Sequence, residues 1–112
     1  MPRSKKGIDM KQYNVEITDA ALDDMEKIYN YIAYELRSPE TAMAQYDRIA
    51  ESILALDIFP ERYSETKYKI KNGMKLRQMP IDNYSVFYRI EQDNVTVTNV
   101  LYSASDIPDR LH

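Results

Sequence analysis

The stretch Arg77-Gln78-Met79-Pro80-Ile81-Asp82-Asn83-Tyr84-Ser85-Val86-Phe87-Tyr88 decides the fold. Met74 to Met79 reads as a strand, and a turn follows around Pro80 to Asn83. Tyr84 to Ile90 then alternates with period two, placing Tyr84, Val86, Tyr88 and Ile90 on one face of a second strand. Two such runs joined by a Pro- and Asn-containing turn predict an antiparallel hairpin. Arg77 stands at the end of the first strand with tyrosines beside it. A cation among aromatics on a sheet suits phosphates and bases, or a flat partner surface.

The pattern extends both ways from this hairpin. Downstream, Gln92-Asp93-Asn94 closes a second hairpin onto Val95–Tyr102. Upstream, Tyr68 and Ile70 alternate with Lys67, Lys69 and Lys71, and Asn72-Gly73 makes a turn or bulge. Further back the period changes to helical. Ala42, Tyr46, Ile49, Ile53 and Leu56 form one apolar stripe, preceded by Ser38 as N-cap and Pro39 at the first helical position. Leu22, Met25, Ile28, Tyr29, Ile32 and Leu36 form another, capped by Thr18 or Asp19, with Asp23 and Asp24 near its positive end. The break between the two helices is short, so they fold as an antiparallel hairpin. Pro60 disfavours a helical Phe59, which is expected to turn inward as a plug for the helix ends. Tyr13, Val15 and Ile17 alternate with polar residues in a first strand.

The order is strand, helix, helix, three strands. It predicts an α+β fold: two helices packed on one face of a four-stranded antiparallel sheet, the other face left for solvent or a partner. The chain has 112 residues, which fits one domain, residues 10–112. Residues 1–9 are polar and aperiodic, and are expected to be a disordered extension.

Charge is segregated. The net charge is −3, yet residues 10–61 carry four cations against eleven acids, while residues 62–77 carry six cations against Glu65. A basic segment on an acidic chain points to an anionic partner met at one place. Lys67, Lys69 and Lys71 are the best candidates for that contact, with Lys75 and Arg77 behind them. There is no cysteine, hence no disulfide framework and no thiolate metal site. The carboxylates are scattered without histidine, and the only two glycines are Gly7 and Gly73, so neither a metal, a cofactor nor a phosphate loop is expected. No apolar run reaches membrane length, and the basic start lacks an apolar h-region, so the expected location is the cytoplasm.

The chain resembles the RelE/ParE superfamily of type II toxin–antitoxin toxins over roughly residues 10–110. The resemblance rests on Tyr13–Thr18, on Ile28-Tyr29-Asn30-Tyr31-Ile32, on Leu56-Asp57-Ile58-Phe59-Pro60, on the opening stretch, and on Val100-Leu101-Tyr102-Ser103-Ala104-Ser105-Asp106. It implies a toxin of a plasmid-stabilising addiction module, held silent by a cognate antitoxin. RelE-like members cut messenger RNA at the ribosomal A site; ParE-like members bind DNA gyrase.

RNA cleavage by the 2′-hydroxyl needs a base, a stabilised phosphate charge and a protonated leaving group. Under that reading Arg77 and Tyr102 are the catalytic candidates, with the lysines supplying charge. Two expected arginines are replaced, by Ser85 and Ser105. His112 is the only histidine, and an unperturbed phenol, with a reference pKa of about 10, is a poor base at neutral pH. The ParE-like reading, growth arrest by binding gyrase, needs no such inventory and is preferred. A ribosome-dependent nuclease is one alternative, a degenerate toxin that binds only antitoxin another. Phe87 and Arg89, opposite the core face of their strand, are expected to meet antitoxin or target together with Ser105 and Asp106. Arg77 is read either as a functional cation or as an ion-pair partner of Asp82 or Asp106.

Overall fold

The computed structural model describes residues 11–68, 75–104 and 111. The expected extension 1–9, Lys69, Lys71, the Asn72-Gly73 turn, Ser105 and Asp106 lie outside the described residues. The elements are β1 (Asn14–Ile17), α1 (Asp19–Asn30), α2 (Pro39–Leu54), β2 (Arg77–Ile81), β3 (Tyr84–Glu91) and β4 (Asn94–Tyr102). Thr18 caps α1, its hydroxyl accepting from the Ala21 N–H at 3.1 Å. A π-helical turn, Tyr31–Glu35, prolongs α1, and Arg37 ends it in the left-handed region at φ 56°.

The four strands lie in the order β1-β4-β3-β2. β2 pairs with β3 and β3 with β4 antiparallel, but β1 pairs with β4 in parallel. The sheet is therefore mixed, which corrects the expectation of a wholly antiparallel one. The helix hairpin is the reason. It returns the chain to the end of the sheet where β1 begins: Gln12 bridges Ile58, and the Tyr13 N–H reaches the Asp57 carbonyl at 2.8 Å. β2 thus starts from that same end and runs with β1. After two hairpin reversals, so does β4.

Pro80 lies inside β2, not in the turn, which is only Asp82-Asn83. β2 is an edge strand, where a missing N–H interrupts no ladder. The outer side of β2 is met further back by residues 64–66: Gln78 N–H donates to the Ser64 carbonyl at 3.1 Å and Thr66 N–H to the Leu76 carbonyl at 2.8 Å.

β4 contains a bulge. Phe87 faces Asn99, yet the next residue, Tyr88, faces Val97. The extra residue reverses the alternation of β4, so that Val95, Val97 and Val100 all enter the core beneath the helices. There they join Met25, Ile49, Ile53, Leu56, Met79, Val86 and Tyr88. The inward stripe of α1 runs through Ala21 and Met25 on to Ile32 and Ala33, leaving Leu22 and Leu36 exposed.

Two further expectations change. The second sheet face is not open: Leu76, Phe87, Leu101 and Leu111 form a separate buried cluster there, with Tyr68 against it. Phe59 does not plug the helix ends. It is left-handed, at φ 50°, and 58% exposed. No helix among the described residues is long and apolar enough to cross a membrane.

Candidate functional site

Arg77 faces Tyr88 across β2 and β3. Its Nη1 donates to the Tyr63 carbonyl at 2.6 Å and to the Glu61 carbonyl at 3.2 Å. Asp82 takes no part: it accepts from Arg48 Nε at 2.9 Å and from the Gln45 amide at 2.9 Å. These bonds, the Gln45 amide foremost, hold its carboxyl below the usual range. Tyr88, fully buried, donates to the Pro60 carbonyl at 2.6 Å. Burial pushes its hydroxyl up to about 12. Arg62 Nη1 adds bonds to the carbonyls of Ile58 at 2.6 Å and Phe59 at 3.2 Å. Arg77 is thus part of a clamp on the loop 58–63, and its first visible role is to satisfy backbone carbonyls.

The other sequence candidates scatter. Lys67 and Lys75 are exposed. Phe87 does not face solvent as expected: it is wholly buried in the second cluster, because Tyr68, Leu76 and Leu111 cover its face of the sheet. Arg89 is half-buried on that same face, its Nε 3.5 Å from Glu91 Oε1 without a hydrogen bond. Ser85 is also buried there, in a run of polar side chains: Thr66 Oγ1 donates to Gln78 Oε1 at 2.9 Å, Gln78 Nε2 to Ser85 Oγ at 3.0 Å, and Ser85 and Ser103 share a bond of 2.9 Å.

Tyr102 belongs to a different place, which periodicity does not reveal. β1 stops at Ile17 opposite Val97, while β4 continues to Tyr102. Past that point α1, not a strand, lies beside β4. Asp24 on α1 accepts from the Val100 backbone N–H at 2.9 Å, satisfying a group that β1 no longer reaches. Between them opens a cleft of about 520 Å³. Tyr31, Tyr84 and Tyr102 line it together with Ile28, Leu36 and Lys27. Tyr84 and Tyr102 pack edge to face with centroids 5.9 Å apart. Burial first, then the neighbouring phenols, raises the Tyr84 hydroxyl. Leu36 belongs to the apolar stripe yet stands 57% exposed, and Tyr31, off that stripe, is 55% exposed, so both present apolar surface to the cleft. An open, aromatic cleft with few charges suits apolar side chains of a partner segment. Among the described residues no group of three His, Cys, Asp or Glu side chains is placed to hold a metal ion.

No curated protein sequence matches the chain, but solved structures share its fold. A chain of the chromosomal ParDE toxin–antitoxin system of P. aeruginosa is 16% identical, with TM-score 0.66 over 82% of this chain and 97% of that one. A chain of the RelBE2 toxin–antitoxin complex of Mycobacterium tuberculosis is 21% identical, with TM-score 0.58 over 87% and 98%. A chain of the archaeal RelE–RelB complex of Pyrococcus horikoshii OT3 is 16% identical, with TM-score 0.55 over 83% and 97%. The family model described as "ParE toxin of type II toxin-antitoxin system, parDE" matches residues 15–107, from β1 past the end of β4. Helix hairpin, mixed sheet and matched span agree, and the chain belongs to the ParE family of type II toxins.

Proposed function

We propose that this toxin arrests growth by binding DNA gyrase, as part of a plasmid-stabilising module, and that its cognate antitoxin silences it through the cleft between α1 and β4. The observation that carries the gyrase reading over the ribonuclease reading is the second face of the sheet. A nuclease relying on the RNA 2′-hydroxyl needs cations converging where the phosphate charge develops. Among the described residues that face holds Phe87 and Leu101 under Tyr68, Leu76 and Leu111, beside a neutral hydroxyl and amide run through Ser85, with Arg89 a half-buried cation set against Glu91 rather than one of a converging group. Arg77 is engaged with two carbonyls elsewhere. A protein-binding toxin needs none of that chemistry, only a complementary surface.

The experiment is a supercoiling assay with purified chain and gyrase, run beside sequencing of cleaved transcripts after induction in cells. Inhibition of supercoiling with intact transcripts supports the proposal. Cleavage at ribosomal A sites with untouched supercoiling replaces it by the nuclease reading. For the cleft, Tyr31→Ala and Tyr102→Ala are expected to weaken antitoxin binding about tenfold or more, as removal of aromatic anchors does.

A further inference from the structure

The loop leaving α2 is built in an unusual way. Phe59 takes φ 50° and ψ 53°, a left-handed conformation that glycine or asparagine adopts with little strain and a bulky aromatic does not. Pro60 follows and disfavours the right-handed alternative. The ring gains little in return, since it is 58% exposed. Five residues earlier Leu54 is also exposed, at 61%, so one short segment presents two large apolar side chains to solvent.

The surroundings fix this conformation from several sides. Arg62 donates to the carbonyls of Ile58 and Phe59. Tyr88 donates to Pro60, and Arg77 to Glu61 and Tyr63. The Arg62 backbone N–H returns to the Phe59 carbonyl at 3.1 Å, and the Tyr13 N–H holds Asp57 at 2.8 Å. Two arginines and a buried tyrosine thus serve a turn whose own residue resists it. A turn with only a structural duty has no need of phenylalanine there. Strain kept in place by a well-bonded frame is the mark of a presented group.

We propose that Phe59, with the exposed Leu54 five residues before it, is a preformed apolar anchor that enters a pocket on the protein this toxin acts on, at a surface separate from the antitoxin cleft. The inference rests on the toxin reading above. The separation follows from the sheet. The loop 57–63 sits where β1 and β4 begin, near Asn14 and Asn94, whereas the cleft lies along Val100 to Tyr102. Seven residues of strand span about 23 Å. A rigid aromatic held outward loses little conformational freedom on binding, which is what makes such side chains effective anchors.

Phe59→Asn separates this role from a structural one, because asparagine tolerates the left-handed region. The variant is expected to melt at the wild-type temperature or about 2–5 °C above it. It should bind the antitoxin encoded beside the toxin gene as wild type does, while its growth arrest on induction and its inhibition of gyrase supercoiling weaken at least tenfold. Leu54→Gln should do the same more mildly. Three results overturn the proposal: wild-type arrest by Phe59→Asn, a fall in melting temperature that accounts for lost arrest, or loss of antitoxin binding instead. If wild type arrests growth without inhibiting gyrase, the gyrase reading fails and the arrest assay alone decides for Phe59. A wild-type chain that does neither overturns both.

Discussion

Arg77 and Tyr88 illustrate how a residue that looks chemical is engaged structurally. Arg77→Ala is expected to lower stability by about 1–3 kcal/mol in chemical denaturation, since it strands two carbonyls bonded to a charged donor. Unchanged stability would return Arg77 to the free cations. Tyr88→Phe should cost a similar amount by leaving the Pro60 carbonyl without its donor. It also has a pH signature. The folded hydroxyl titrates near about 12, above the ordinary phenol, so its stabilising effect is complete below about pH 10 and is lost as pH rises through 12. The Tyr88→Phe variant should flatten that alkaline decline, followed by circular dichroism, and remove the latest step of the tyrosinate absorbance titration. Neither role is readable from the chain, because all three partners are backbone carbonyls, and every residue supplies one. Phe87 departs from its sequence reading for a related reason. Alternation shows that it points away from Tyr88, but not that Tyr68 and Leu111, far off in sequence, cover it. Phe87→Ala should therefore cost about 3–5 kcal/mol, where an exposed contact residue would cost little.

At the scale of elements, the helix hairpin and the three-strand run are legible because both periods are long and clean. Ala42, Ile49, Ile53 and Leu56 are all buried as their spacing requires. The bulge in β4 is written in the same pattern: Val95 and Val97 keep odd parity, Val100 even, with Thr98 and Asn99 between them. Deleting Thr98 should restore strict alternation with Val95, Val97 and Val100 still on the core face and the pairing with β3 kept, so the domain should still fold and unfold cooperatively in a thermal melt. What periodicity does not supply is the offset between β1, which stops at Ile17, and β4, which runs on to Tyr102. That offset creates the cleft, and side chains satisfy the strand edge: Asp24 accepts from the Val100 N–H and Thr18 donates to the Thr98 carbonyl. Asp24→Ala is expected to lose about 1–2 kcal/mol and to speed hydrogen exchange at the Val100 amide.

At the scale of the whole molecule, the two apolar layers are distinct. The large one under the helices builds the sheet, and the small one on the opposite face is closed by Leu111. Leu111→Asp should expose Phe87 and Leu101, raising ANS fluorescence while the far-ultraviolet circular dichroism stays near native. The mixed topology reaches further, into synthesis on the ribosome. Among the described strands β4 is the last made, yet it stands between β1 and β3 and is the one β1 pairs with. No nascent chain shorter than Tyr102 has a complete floor for its helices, however well the hairpin of α1 and α2 forms locally. Stalled chains ending before Asn94 should remain open to protease, and resistance should appear only once Tyr102 has emerged. A message broken anywhere upstream of that point yields no folded toxin, so a cell that cuts the transcript early is spared without needing any antitoxin.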